Sequence, residues 1–246
     1  MARPAPERDV APVVQRVRLH YAKRGRLRFS SHRDFQRALE RALRRAEVPM
    51  AFSAGFSPHP KISYANSAPT GVASEAEYVE LGLARRVDPE RLAQALDEAL
   101  PEGLDVVEIV EARTPDLVAR LEASHWRIEL PGLAPGAADP AVTLLLAQEA
   151  VEVERLTKNG VRRFDARGPI VRLEGVPGDC AILETVVRHV TPSVRPDDVL
   201  AALRRVADLV PPEPPRVTRL AQGPLDPVAV VVGDPFAPDR GASRQA

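Results

Sequence analysis

The chain has 246 residues, 34 Lys plus Arg against 34 Asp plus Glu, 25 prolines and one cysteine. That length allows one large domain or two small ones, and a lone thiol excludes an internal disulfide and any cysteine-ligated iron–sulfur cluster. No apolar run reaches membrane length and the first dozen residues lack the apolar core of a signal peptide, so a cytoplasmic protein without a membrane partner is expected.

Residues 1–13, rich in proline and charge, read as a disordered tail. Val17, Leu19 and Tyr21 then alternate with Arg18 and His20, the period of a strand. Ser31-His32-Arg33-Asp34 is a capping-box start that predicts a helix from about His32. Phe35, Ala38, Leu39, Ala42, Leu43 and Ala46 recur at the spacing of one buried face, with Pro49 marking the end. Short extended pieces follow at 50–53 and 61–65, on either side of the loop Gly55-Phe56-Ser57-Pro58-His59-Pro60. A strand is predicted over 75–84, a helix from Asp88-Pro89 to Gly103 and a strand over 104–110. Strand, helix, strand, strand, helix, strand is the split βαβ, ferredoxin-like order. An α+β fold is therefore expected, with a ferredoxin-like unit over 14–112.

A second, similar α+β unit is expected over 123–222. Its predicted elements are a strand at 126–130, a helix at 140–150, a hairpin of 151–156 with 161–164 turning at Asn159-Gly160, strands at 170–173 and 181–187, a helix from Pro196 and a last strand at 217–220. Residues 223–246 read as a flexible tail. Lys23-x-Gly25-x-x-Arg28-Phe29 matches Lys158-x-Gly160-x-x-Arg163-Phe164, which fits either duplication of the unit or chance reuse of a basic β-turn.

The balanced total charge conceals a division. Residues 15–61 hold twelve Lys and Arg against three Asp and Glu, a net +9, whereas 75–122 hold five against thirteen, a net −8. Arg33, Arg37, Arg41 and Arg44 fall three or four apart and form a line on the far side of the first helix. Together with Lys23, Arg26, Arg28 and Lys61 they fit a groove for phosphates, with Phe56, Tyr64 or Phe29 to stack a base. Ser57 and His59 stand on a proline-braced loop suited to ligand contact. The amides of Thr70-Gly71 and Ser74-Glu75 offer a further anion contact.

Signatures of common enzymes are missing: the sequence holds no P-loop, dinucleotide fingerprint, His-Glu-x-x-His or Gly-x-Ser-x-Gly. Five scattered histidines supply no metal-ligand pair, so neither a metal nor a cofactor is expected. Cys180, among apolar residues, reads as a buried thiol.

Residues 23–32, 41–46, 55–63 and 71–75, with Thr157 to Arg167 in the second half, closely resemble the radical-SAM-linked protein family, an uncharacterised bacterial domain. The resemblance covers roughly residues 14–220. It implies a separately encoded radical SAM enzyme as partner and supplies no reaction and no catalytic residues. The chain lacks the Cys-x3-Cys-x2-Cys motif of that enzyme. The combined expectation is a non-catalytic accessory protein that binds tRNA or rRNA for modification through the basic groove, including Lys158 and Arg163. Two other readings use the same residues. One is a metal-independent RNA-processing enzyme with His32 or His59 as acid or base and Tyr64 as helper. The other is a protein–protein adaptor whose arginine helix docks on the partner enzyme.

Overall fold

Strand β1 (Gln15–Lys23) is buried along almost its whole length, and the first half of the chain assembles around it. A computed structural model describes residues 11–158 and 160–240. Residues 1–10 of the expected tail, and Asn159 of the expected turn, lie outside them. The chain divides into two units, whose described residues are 11–118 with 236–240, and 119–235.

In the first unit β1 is followed by a 3-10 turn (Gly25–Phe29), α1 (His32–Arg45), β2 (Ile62–Ala65), β3 (Ala73–Leu83), α2 (Pro89–Ala99) and β4 (Leu104–Glu111). The strands lie in the order β4-β1-β3-β2, with every neighbouring pair antiparallel. Val17, Leu19 and Tyr21 of β1 and Val79, Leu81 and Leu83 of β3 point to one face. Phe35, Leu39 and Leu43 of α1 and Leu92 and Leu96 of α2 close over them, so two helices cover one side of the sheet. Burial of such side chains contributes roughly 1.5–3 kcal/mol each. Both helices start at sequence-encoded caps: Ser31 for α1, and Asp88, which accepts from the amides of Glu90 and Arg91, for α2. The expected strand at 50–53 reduces to bridges from Met50 to Leu83 and from Phe52 to Pro60, because the chain turns back at once through the 53–59 loop.

The second unit contains β5 (Ala123–Leu130), α3 (Asp139–Leu146), β6 (Glu152–Thr157), β7 (Gly160–Asp165), β8 (Ile170–Val176), β9 (Ala181–Arg188), α4 (Pro196–Ala207), β10 (Arg216–Gly223) and the short β11 (Leu225–Asp226) and β12 (Val231–Val232). Its main strands run β10-β5-β9-β8, again antiparallel throughout. This is the connectivity of the first unit with one addition, the separate β6–β7 hairpin between α3 and β8. Helix α3 stops at Leu146 rather than reaching Ala150, because Ala147 to Ala150 are all exposed and offer no apolar face to bury. Thr157 pairs with Gly160, so Gly160 is strand rather than the second turn residue. Arg155 anchors the hairpin by pairing with Asp198 and lying 4.7 Å from the centre of the buried Phe164 ring.

The four-residue identity between 23–29 and 158–164 falls on non-equivalent places: the end of β1 in one unit and the added hairpin in the other. Chance reuse of a basic turn accounts for it. The similarity of the units lies in connectivity.

Residues 223–240 are not a free tail; residues 241–246 of the expected tail lie outside the described residues. Besides β11 and β12 the described segment carries α5 (Ala237–Arg240), which belongs to the first unit. Phe236 is fully buried against Tyr78 and His20, at ring distances of 5.2 and 6.2 Å. Asp239 accepts hydrogen bonds from Arg18, from the amides of Arg113 and Thr114 and from the Thr114 hydroxyl. Burial alone would raise the Asp239 carboxyl; the bonds from Thr114 and Arg18 and the backbone amides outweigh it and hold it below the usual carboxylate range.

Two outcomes are expected. The lowered Asp239 pKa contributes stability that is present above the unfolded carboxylate value near 4 and is lost as pH falls through the folded value. Asp239→Asn, which withdraws one partner of a buried charge, should lower stability by on the order of 3 kcal/mol at pH 7 and flatten the acid limb of thermal melts recorded from pH 7 to pH 3. Gly103 sits at φ +90° with its carbonyl bonded to the Arg24 amide, and a Cβ there would lie 2.9 Å from the Arg24 carbonyl oxygen. Gly103→Ala should therefore cost more than about 1 kcal/mol in urea unfolding.

Candidate nucleic-acid interface

Helix α1 owes its placement to two local rules. The Ser31 hydroxyl accepts from the Asp34 amide while the Asp34 carboxylate accepts from the Ser31 amide and hydroxyl, closing the capping box. The Ser31 hydroxyl, its amide and the nearby Arg37 and Arg33 hold the Asp34 carboxyl below its ordinary range. The apolar face then turns Phe35, Ala38, Leu39, Ala42 and Leu43 into the core, which leaves Arg33, Arg37, Arg41 and Arg44 exposed along the opposite side. Among the described residues Arg44 alone of these four forms a salt bridge, with Glu40 at 4.0 Å, and an exposed pair of that kind contributes little. The side chains of Arg26, Arg33, Arg37 and Arg41 form no salt bridge or hydrogen bond among the described residues. At 1.5 Å per residue the line from Arg33 to Arg44 is about 16 Å long.

Aromatic side chains flank this line in sequence. Phe29, just before the helix, is 59% exposed, and Phe52 and Phe56, after it, are 44% and 60% exposed. The Arg28 guanidinium lies 4.7 Å from the centre of the Phe29 ring, and its Nε is buried without a hydrogen-bond partner. Ser57, His59 and Lys61 are exposed. The loop that carries them is closed by the Ser53 amide donating to the His59 carbonyl and the His59 amide donating to the Ser53 hydroxyl. Phe56, Ser57 and His59 thus stand on a braced turn, as the prolines suggest.

Three expectations are corrected. Lys23 is buried rather than lining a groove; its ammonium donates to the carbonyls of Ala68 and Pro69 and pins that loop to the end of β1. Tyr64 packs edge-on against His32 and Phe35, with its hydroxyl buried, so it offers no free face to a base. Burial, with Glu40 adding to it, pushes its phenol up to about 12. Of the expected anion-binding amides, that of Gly71 is occupied, donating to the Arg28 carbonyl, and the neighbouring Val72 and Ala76 amides donate to the Pro69 carbonyl and the Ser74 hydroxyl.

Of the two histidines in the catalytic reading, His32 is the one brought against Tyr64. His32 meets Tyr64 at 4.9 Å between ring centres and Ser67 at 3.3 Å. The adjoining void, lined by Lys23, Ser31, His32 and Ser67, measures about 10 Å³, too small for a substrate group. The His59 imidazole makes no hydrogen bond or ring contact among the described residues. Lys158 and Arg163 lie on the β6–β7 hairpin of the second unit, where Arg163 pairs with Glu154 at 2.8 Å. No group of His, Cys, Asp and Glu among the described residues is arranged to hold a metal ion. Cys180 is partly exposed rather than buried.

Sequence reading missed two polar clusters in the second unit. Ser124 meets His189 Nε2 at 2.8 Å, while His189 Nδ1 donates to the Leu121 carbonyl at 2.6 Å. Burial holds this imidazole neutral, below its usual range, against the opposing carbonyl bond. The pair has the outline of a nucleophile and base, but Ser124 is 1% exposed and does not line the adjacent cleft of about 480 Å³. It serves the packing of β5. On the open face of the same sheet Glu184 accepts from His125 and Arg127. These bonds outweigh the burial that would raise the carboxyl and hold it below its usual range. Register made the contact, since His125 and Arg127 stand beside Glu184 across the β5–β9 pair, and sequence alone does not give that register.

No curated protein matches the chain. Among solved structures it is similar to one chain in the crystal structure of a Cbf5-Nop10-Gar1 complex, at 9% identity and a TM-score of 0.43. The match covers 85% of this chain and 50% of that one, so the chain spans about half the length of the structure it matches. Residues 16–196 match the family model described as "Uncharacterized protein conserved in bacteria (DUF2344)", well over half the chain, and the protein belongs to that family.

Proposed function

We propose that the protein is a non-catalytic cytoplasmic accessory factor that binds tRNA or rRNA on its first unit and presents it to a separately encoded radical SAM enzyme. The observation that carries the RNA part is the line of Arg33, Arg37, Arg41 and Arg44, which is exposed and almost free of acidic partners. Arginines that are already paired gain little from a phosphate, whereas unpaired ones release counterions when they bind it. The enzyme partner rests on the resemblance of residues 23–32, 41–46 and 55–63 to the radical-SAM-linked family. We read both units as ferredoxin-like, which the strand order β4-β1-β3-β2 and its counterpart β10-β5-β9-β8 support. The void beside His32, only about 10 Å³, favours a binding role over RNA cleavage.

Crosslinking in cells followed by sequencing of bound RNA tests this reading, with wild type compared against Arg37→Glu/Arg41→Glu. Both positions are exposed, so the double variant should keep the wild-type melting temperature. Enrichment of a defined tRNA or rRNA that falls at least tenfold in the variant is expected. A wild-type profile no different from background would overturn it.

A further inference from the structure

We infer that the RNA recognised by this surface is single-stranded, an unpaired loop or end whose bases stack on Phe29, Phe52 and Phe56. This rests on the RNA-binding reading above and specifies the class of RNA. Half of the six phenylalanines of the chain lie well exposed, and all three belong to the stretch 29–56 that surrounds α1. The other three, Phe35, Phe164 and Phe236, are buried. An exposed phenylalanine gains nothing from water, and three of them bracketing a charged helix form no core. Along the chain Phe29 precedes the first turn of α1, and Phe52 and Phe56 follow the last, so the arginines fall between the aromatic positions in sequence.

Duplex RNA presents phosphates and ribose and keeps its base faces inside the helix. It satisfies the arginines and leaves the phenylalanines idle. A single strand satisfies both, its phosphates along Arg33 to Arg44 and its bases on the rings. The local geometry at Phe29 agrees with this use. One face of that ring is taken by Arg28, whose guanidinium polarises it, and the ring is still 59% exposed. A base on the remaining exposed surface completes a base–aromatic–guanidinium stack. Stacking of this kind tolerates any base, so little sequence preference is expected from these contacts.

Fluorescence anisotropy with a labelled 12-nucleotide RNA, alone or annealed to its complement, tests the inference on the full chain. The proteins compared are wild type, Phe29→Ala, Phe52→Ala/Phe56→Ala and Arg37→Glu/Arg41→Glu, each checked by its melting temperature. The single strand should bind at least about tenfold more tightly than the duplex. Each phenylalanine variant should weaken single-strand binding by roughly 5- to 100-fold while leaving duplex binding unchanged. Equal affinity for both forms, with neutral phenylalanine variants and a weakened arginine variant, would overturn the single-strand assignment and leave RNA binding standing. Absence of binding to either form, or a poly-glutamate competitor displacing RNA at equal charge concentration, would overturn RNA recognition itself.

Discussion

A strand buried on both faces is the constraint from which the first unit follows. Residues Val17, Leu19 and Tyr21 of β1 supply an aliphatic and aromatic face to α1 and α2. The alternating residues face the other way and include Arg18, whose side chain is only 2% exposed. A guanidinium taken out of water needs its charge met and its donors filled. Glu80 of β3, the Thr114 hydroxyl and carbonyl and Asp239 of α5 together do this. The neighbouring strand and the C-terminal segment are thus held by one buried charge, and α1 by the aliphatic face behind it. Because the orientation of α1 is fixed by that face, the direction in which its arginines point is fixed as well.

Repetition of the same connectivity makes the differences between the units informative. Between the first helix and second strand, the first unit carries the braced 53–59 turn with its exposed phenylalanine, and the second carries the β6–β7 hairpin. The hairpin shows Leu156 and Val161 to solvent as cross-strand partners. The helices differ too. Where α1 bears a line of arginine along one side, its counterpart α3, Asp139–Leu146, holds no basic residue. A shared scaffold has been given two unlike surfaces.

Local rules made most of the fold readable from sequence. A capping box, Pro at the first helical position and apolar spacing located α1, α2 and α4, alternation located β1 and β3, and apolar runs located β5 and β9. What remained hidden required knowing which strands are neighbours. Lys23 looks like a member of a basic patch in the sequence, yet its position at the end of β1 brings it to the carbonyls of Ala68 and Pro69. Tyr64 looks available for stacking, yet β2 lies beside α1 and the ring is enclosed by His32 and Phe35. The last segment looks like a tail because proline, glycine and charge dominate it, and only a partner far back in the chain reveals that Phe236 and Asp239 are core residues. Exposure was legible in the opposite direction: the arginines of α1 follow directly from the spacing of its apolar residues.

The bond between Arg18 and Asp239 joins residues 221 positions apart. During synthesis β1 is made first, yet the groups that complete its outer face are made after the whole of the second unit. Contacts of such long sequence separation form late because closing the chain must precede any gain from them. Until then the cationic Arg18 and the ring of Tyr78 lie uncovered on a nascent chain. The first unit therefore finishes folding only after the whole of the second unit has been made, which links the final state of one to the synthesis of the other.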